Sequence, residues 1–186
     1  MQVQDLALTG VKLLTPNVYR DDRGWFAEQY RQDAYRRWLG IEHDFVQGNL
    51  SQSTAGVLRG LHLQLSQPQG KLVCVLHGKI QDVLVDLRLE SPSFGQSLSV
   101  DLCADTMQQL WVPPGFAHGF AVLSEHALIS YQCTSYYKPD DEACLRWDDP
   151  ALAIDWQVKQ PILSPRDACG LSLQELRHRL EATSRR

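Results

Sequence analysis

The chain has 186 residues, of which 44% are hydrophobic and 22% charged, and its formal net charge at pH 7 is −4. This length and composition are those of a globular domain that can bury a full core, and they argue against extensive disorder. The acidic balance disfavours nucleic-acid binding by a basic surface, and no apolar run approaches the roughly 18 residues of a membrane span. We therefore expect one cytoplasmic domain over residues 1–186, without a nucleic-acid or membrane partner.

The N-terminal part predicts short strands and one helix. Residues 11–16 and 25–30 have the composition of strands, and turn-forming residues separate them at positions 21–24. Residues 33–39 are the first predicted helix, with Asp33 as its N-cap and Gly40 as its end.

The pattern from residue 45 onward is that of β-strands for almost ninety residues. Residues 72–76 and 80–88 flank His77, Gly78 and Lys79, and this spacing predicts a tight hairpin. A loop at residues 91–95 separates this hairpin from four further predicted strands, at residues 97–102, 108–113, 120–124 and 127–133. Many short strands with Gly and Pro between them indicate a β-sandwich or barrel.

The C-terminal part changes character. Residues 136–156 mix aromatic, acidic and proline residues, which predicts a long loop over the barrel. Ser172 and Glu175 have the spacing of a capping box that opens a C-terminal helix at about residues 172–182. The five cysteines form no C-x-x-C pair, which argues against a disulfide framework or a zinc ribbon.

Two separated segments each present one histidine beside glycine or proline. Alternation along Arg59–Gln64 puts His62 on the strand face opposite Leu61 and Leu63. The frame from Gly56 through His62 to Gly78, and later the segment PPGFAHG that contains His118, resemble the two motifs of cupin barrels. We therefore predict an all-β fold, a cupin-type β-barrel or jelly roll with short peripheral helices and a C-terminal helix.

The departures from the cupin motifs argue against a metal. Metal-binding cupins have a second histidine where Gln64 stands, and a glutamate after it. Here the first charged residue after Gln64 is Lys71, whose ammonium would repel a cation. We predict no metal and no other cofactor, and keep a metal-dependent cupin, such as a dioxygenase or isomerase, as an alternative.

A neutral histidine and a lysine suit proton transfer beside a carbonyl. His62 could remove a proton from carbon, because an unperturbed imidazole titrates at about pH 6.5. Lys71 could stabilise the enolate oxygen that results. Net epimerisation also requires a proton donor on the opposite face. Tyr131 is the candidate if its hydroxyl faces inward, and the alternative is that it is only an aromatic residue of the barrel wall.

The similarity extends beyond the cupin motifs, over roughly residues 10–170. The runs RGWFAEQY, FVQGNLSQS, VLRGLHLQ, GKLVCVLHGKIQDVLVDLR, QQLWVPPGFAHGFAVLSE, YQCTSYYKPDDE and WDDPALAIDW resemble the dTDP-4-dehydrorhamnose 3,5-epimerase family. The resemblance implies a metal-independent homodimer that inverts C3 and C5 of a dTDP-linked 4-keto-6-deoxy sugar. It places this reaction in dTDP-L-rhamnose synthesis, and so in lipopolysaccharide or other cell-surface polysaccharide synthesis.

The resemblance also assigns roles to residues. It implies that His62 is the general base, Tyr131 the general acid, Lys71 the residue beside the substrate carbonyl, and Asp167 the partner of the base. It implies substrate contacts by Arg23, Glu28, Gln47, Asn49, Arg59, His118, Glu142 and Arg166. Two alternatives share this set: an epimerase that acts on C3 only, and a non-catalytic binder of sugar nucleotides.

Overall fold

The computed structural model of the protein describes residues 1–42 and 44–185. Within these residues the chain forms two α-helices, α1 (Gln32–Leu39) and α2 (Leu173–Ser184), and three short 3₁₀ helices at Ala104–Thr106, Pro139–Asp141 and Asp167–Cys169. The strands of the same part of the chain are β1 (Gln2–Asp5), β2 (Lys12–Thr15), β3 (Val18–Asp21), β4 (Gly24–Ala27), β5 (Gln47–Thr54), β6 (Leu58–Gln64), β7 (Lys71–His77), β8 (Lys79–Asp86), β9 (Ser97–Cys103), β10 (Gln109–Val112), β11 (Phe116–Val122), β12 (His126–Cys133) and β13 (Glu142–Cys144).

Two antiparallel sheets make up most of the molecule. One has six strands in the order β1-β2-β10-β7-β12-β5, and the other has five in the order β13-β6-β11-β8-β9. Strands β3 and β4 form a separate hairpin. The prediction of an all-β, cupin-type fold with few helices is confirmed.

Three apolar clusters hold these layers together. The first lies between the two sheets and includes Val73 of β7 and Leu84 of β8. The second covers the outer face of the five-stranded sheet, where the C-terminal loop and α2 pack on Val83 and Val85. The third joins α1 to the outer face of the six-stranded sheet through Tyr35 and Trp111 in one cluster. Fully burying one such large side chain stabilises the fold by about 1.5–3 kcal/mol.

The predicted hairpin around Gly78 is wrong. Strand β7 pairs with β10 and β12, whereas β8 pairs with β11 and β9, so the turn carries the chain from one sheet to the other. Gly78 has a φ of +81°, and a Cβ at this position would lie 2.1 Å from the carbonyl oxygen of His126. A glycine is therefore required in this crossing.

Several element boundaries also differ from the sequence prediction. Helix α1 has Arg31 rather than Asp33 as its N-cap, although Gly40 ends it as predicted. Residues 142–144 of the predicted long loop form β13, which pairs with β6. The predicted capping box of α2 is confirmed, with Ser172 and Glu175 as its two members. Among the described residues, no helix is long and apolar enough to cross a membrane.

Candidate active site

A cavity of about 420 Å³ continues the space between the two sheets. Its walls include ten of the twelve residues for which the sequence predicted a role: Gln47, Asn49, Arg59, His62, Lys71, His118, Tyr131, Glu142, Arg166 and Asp167. These side chains come from strands of both sheets and from the loop before α2. The fold thus brings together residues that are up to 120 positions apart in sequence.

A local irregularity in β6 places two of these residues side by side. Arg59 and His62 are three positions apart, so regular alternation would put them on opposite faces of the strand. Opposite them on β11, their partners Phe120 and His118 are only two positions apart, so β6 carries one extra residue. Gly60 lies within this bulge with a φ of +123°, and a Cβ there would lie 2.6 Å from the Cα of Gly119.

The imidazole of His62 is hydrogen-bonded to a buried carboxylate. The Nε2 atom of His62 lies 2.6 Å from Oδ1 of Asp167, which itself is 4% exposed. When the carboxylate accepts a hydrogen bond from Nε2–H, the lone pair of the neutral ring is on Nδ1. The ring itself is only half-buried and lines the cavity. This arrangement suits a general base.

Asp167 remains ionised despite its burial. Burial raises the pKa of this carboxyl, but hydrogen bonding and charge interaction with His62 and hydrogen bonds with Ser164 and Gly60 lower it below its ordinary value. The carboxylate therefore keeps the negative charge that stabilises a protonated imidazole.

Cys144, which the sequence did not single out, completes a small cluster behind His62. Its Sγ atom lies 3.9 Å from Oδ1 of Asp167, and the donor atoms of Cys144, Asp167 and His62 all lie within 4.8 Å of one another. Burial and the charge of Asp167 raise the pKa of the thiol to about 12, so it is a neutral donor. Two ligands of a tetrahedral zinc stand about 3.3 Å apart, which the 2.6 Å hydrogen bond between His62 and Asp167 does not match. The cluster fits a hydrogen-bonded support for the imidazole better than a metal site.

Lys71 and Tyr131 lie on the opposite sheet from His62. They occupy the adjacent strands β7 and β12. Burial lowers the pKa of Lys71, and electrostatic interactions with Cys133, Glu142 and Asp82 oppose this shift. Burial and then electrostatic interactions with Cys133 and Glu142 raise the pKa of Tyr131, so its hydroxyl keeps its proton. The cavity therefore contains a proton donor and an amine on one wall and an imidazole on the other.

His118 has its own buried carboxylate. Its Nε2 atom lies 2.9 Å and 3.0 Å from the two carboxylate oxygens of Asp82, which is fully buried on β8. His118 faces His62 directly across the β6–β11 pair. The two histidines thus form one continuous patch of the cavity wall.

Polar contacts join the residues at the mouth of the cavity. The carboxylate of Glu142 accepts a hydrogen bond from the hydroxyl of Tyr137 at 2.7 Å and forms an ion pair with Arg166. Oε1 of Glu142 lies 3.9 Å from Nδ1 of His62. On the other side, Gln47 accepts a hydrogen bond from the backbone amide of Tyr137 at 2.8 Å. Tyr137 is a mouth residue that the sequence motifs did not identify.

The remaining predictions have different outcomes. Arg23 and Glu28 do not line this cavity: Arg23 lies on the exposed β3–β4 turn, where it pairs with Asp21. Gln64 shares a strand with His62, but its side chain bonds the backbone of Gln67, Tyr136 and Lys138 and so ties two loops together.

Comparison with known proteins gives a consistent result. The model of a family described as dTDP-4-dehydrorhamnose 3,5-epimerase matches residues 5–175. A Pseudomonas aeruginosa protein named dTDP-4-dehydrorhamnose 3,5-epimerase is 48% identical over 171 residues, which are 91% of this chain and 94% of that protein. A crystal structure of a dTDP-6-deoxy-D-glucose-3,5-epimerase from Legionella pneumophila, in complex with dTDP-4-keto-L-rhamnose, has a TM-score of 0.93 and 46% identity over 96% of each chain. A 3′-monoepimerase from Streptomyces bikiniensis, in complex with dTDP-quinovose, has a TM-score of 0.87 and 30% identity over 97% of this chain and 94% of that one.

Proposed function

The chain belongs to the dTDP-4-dehydrorhamnose 3,5-epimerase family, and from that premise we propose that it inverts C3 and C5 of dTDP-4-dehydro-6-deoxy-D-glucose. The product is dTDP-4-dehydro-L-rhamnose, and the enzyme is an isomerase. The reaction needs no redox step, because each inverted carbon lies beside the C4 ketone and its proton can leave and return.

One arrangement carries this proposal. His62 lies on the five-stranded sheet, whereas Tyr131 lies on the six-stranded sheet, and both line the same cavity. A sugar ring between them presents one face to the imidazole and the other to the phenol. Removal of a proton from one face and return from the other is what inversion requires.

The step can be written with its protons balanced. His62 takes the proton from C3 or C5, the C–H electron pair forms the enolate with C4, and the ammonium of Lys71 stabilises the enolate oxygen. Tyr131 then donates its proton to the opposite face of the same carbon. Loss of the first proton from His62 to water and reprotonation of Tyr131 restore the enzyme.

Binding of the nucleotide is proposed for the polar mouth. The guanidinium groups of Arg59 and Arg166 match the geometry of phosphate oxygens, and both line the cavity. Gln47, Asn49 and Glu142 offer amide and carboxylate groups to the sugar and base. His118 contacts the sugar from the wall opposite Lys71.

We also propose a cytoplasmic homodimer that supplies the synthesis of a cell-surface polysaccharide. The β3–β4 hairpin leaves the large side chains of Tyr19, Trp25 and Phe26 exposed, which supports an interface there. Arg23 and Glu28 lie on or beside this hairpin, so a nucleotide contact by either requires a second copy or a movement of the hairpin. Sedimentation analysis tests the dimer, and a monomer at micromolar concentration would contradict it.

NMR spectroscopy of the 4-keto sugar nucleotide in D₂O tests the activity. We expect enzyme-dependent deuterium at both C3 and C5, together with formation of the L-sugar. The absence of deuterium at either carbon would refute the proposal. The similarity to a 3′-monoepimerase favours a C3-only epimerase as the second candidate, and deuterium confined to C3 would decide for it.

A further inference from the structure

Asp82 is the one member of the two histidine–carboxylate pairs for which the sequence offered no role. It is fully buried on β8, and it does not line the cavity. Its two oxygens both lie within hydrogen-bond distance of Nε2 of His118. Removing a charge fully from water is costly, so a buried carboxylate beside the cavity calls for an explanation.

The strand register explains how Asp82 reaches this position. His118 of β11 lies opposite Leu84 of β8, and Asp82 is the next residue on the same face of β8. Leu84 belongs to the apolar cluster between the sheets, so this face of β8 points to the interior. Asp82 therefore lies on the interior face of β8, beside His118 and diagonal to it on the neighbouring strand.

Asp82 also interacts electrostatically with Lys71, which lies on the opposite wall of the cavity. Lys71 is only 9% exposed, and its burial lowers its pKa, which works against the ammonium form. Electrostatic interactions with Cys133, then Glu142 and then Asp82 raise the pKa of Lys71, and His118, the hydrogen-bond partner of Asp82, lines the same cavity as Lys71. The titratable groups that line the cavity together with Lys71 are Arg59, His62, His118, Tyr131, Cys133, Tyr137, Glu142, Arg166 and Asp167, and Asp82 acts on Lys71 from outside this lining.

We propose that Asp82 is a positioning residue of the active site: it orients His118 at the cavity wall and supplies a buried negative charge to the pocket of Lys71. The bond from Nε2–H to Asp82 leaves Nδ1 of His118 as the atom that can meet the sugar. The buried charge favours the ammonium that the enolate oxygen needs. This role rests on the proposed epimerase function, but its electrostatic part can be measured without substrate.

Asp82→Asn is the decisive variant, because the amide keeps the shape of the side chain and removes its charge. Its NH₂ group can also turn toward Nε2 of His118, so the titration of Lys71 is the measurement that isolates the charge. The matched control is Asp86→Asn, on the same face of the same strand. Asp86 is equally buried, but its partners are Arg88, Ser91 and Ser93, away from the cavity. Thermal unfolding of both variants reports the general cost of losing a buried carboxylate.

The first measurement is a pH titration of the lysine side chains. The chain contains five lysines, so reductive ¹³C-methylation gives few resonances, and Lys71→Arg assigns the one of interest. We expect Asp82→Asn to move the midpoint of Lys71 to lower pH by roughly half a unit to one unit, since a nearby negative charge is lost. The other four lysines serve as internal standards, and Asp86→Asn should leave Lys71 unchanged. An unchanged midpoint in Asp82→Asn would overturn the electrostatic role, whether or not the protein is an epimerase.

The second measurement uses the activity. Asp82→Asn should lower kcat about tenfold with KM within about threefold, and the alkaline fall of activity should begin at lower pH. Asp86→Asn should lower the melting temperature without moving the pH profile. If the two variants lose kcat equally and share the wild-type pH profile, Asp82 is merely structural. If wild type itself shows no exchange, the proposed function fails and the lysine titration alone decides on Asp82.

Discussion

The two histidine–carboxylate pairs of the cavity have the same chemical groups but different surroundings. His118 and Asp82 come from adjacent strands, and both side chains are buried. His62 and Asp167 are 105 residues apart in sequence, and the carboxylate comes from a short 3₁₀ helix rather than from the sheet. The side chain of His62 is 26% exposed, compared with 8% for His118.

This difference separates two uses of one motif. A base that exchanges protons with solvent between turnovers must have access to water, which the half-buried ring of His62 has. A buried ring with a buried partner is better suited to a fixed contact. We therefore expect the first pair to control proton transfer and the second pair to control the geometry and charge of the pocket.

Replacement of the two histidines tests this assignment most strongly. His62→Ala should lower exchange at both C3 and C5 by roughly 10⁴-fold, because the general base is lost. His118→Asn should lower kcat/KM only about 10–100-fold, because a substrate contact is lost while the base stays in place. Deuterium exchange followed by NMR measures both. Equal losses, or exchange that survives in His62→Ala, would show that the pairs are not divided in this way.

Asp167→Asn is expected to have the second largest effect. The amide can still occupy the position, but it can present its NH₂ group to Nε2 and so favour the wrong tautomer of His62. We expect kcat/KM to fall roughly 10³-fold, and the acid limb of its pH profile to move to lower pH, because a carboxylate favours the protonated ring.

The control for Asp167→Asn is the pH profile of kcat/KM measured for Asp82→Asn. Asp82→Asn should move the alkaline limb instead, since Asp82 acts on Lys71. A shift of the acid limb in both variants, or in neither, would contradict the division between the two pairs.

The sequence predicts the walls of the cavity better than it predicts what stands behind them. Alternation along the strand predicts which face His62 lies on, and the second cupin motif, PPGFAHG, predicts the position of His118. Asp82 could not be chosen in the same way, because both faces of β8 are buried and alternation does not say which one faces the cavity. Nor does composition distinguish a hairpin at Gly78 from a crossing between sheets, since both need a glycine turn.

Irregular features of the strands also leave no pattern in the sequence. The extra residue in β6 brings Arg59 to the same wall as His62, and no period in the sequence announces it. Strand β13 has only three residues, which are too few for a detectable alternation, so the sequence pattern predicts a loop there. It nevertheless carries Glu142 and Cys144, which lie on the two sides of the His62 ring.

Tyr131→Phe should have a smaller and more selective effect. Proton removal by His62 does not require the phenol, so deuterium exchange should fall less than about tenfold. Return of a proton to the opposite face does require it, so net epimerisation should fall roughly 100-fold. Chiral analysis of the product beside deuterium incorporation separates the two. Equal loss of both activities would argue that Tyr131 is not the general acid.

The smallest expected effect concerns the residues that contact the carboxylates of the two histidine–carboxylate pairs. Cys144 contacts Asp167, while no cysteine lies comparably close to Asp82 among the described hydrogen-bond partners. Cys144→Ala should lower kcat about two- to fivefold and the melting temperature by about 2–4 °C, because a neutral donor and a buried contact are lost. Cys144→Ser should recover most of the activity, since its hydroxyl can still donate to the carboxylate, and Cys169→Ala is the exposed control. If Cys144→Ala and Cys144→Ser lose kcat equally, the thiol contributes packing alone, and the first pair depends on no donor beyond His62, Ser164 and Gly60.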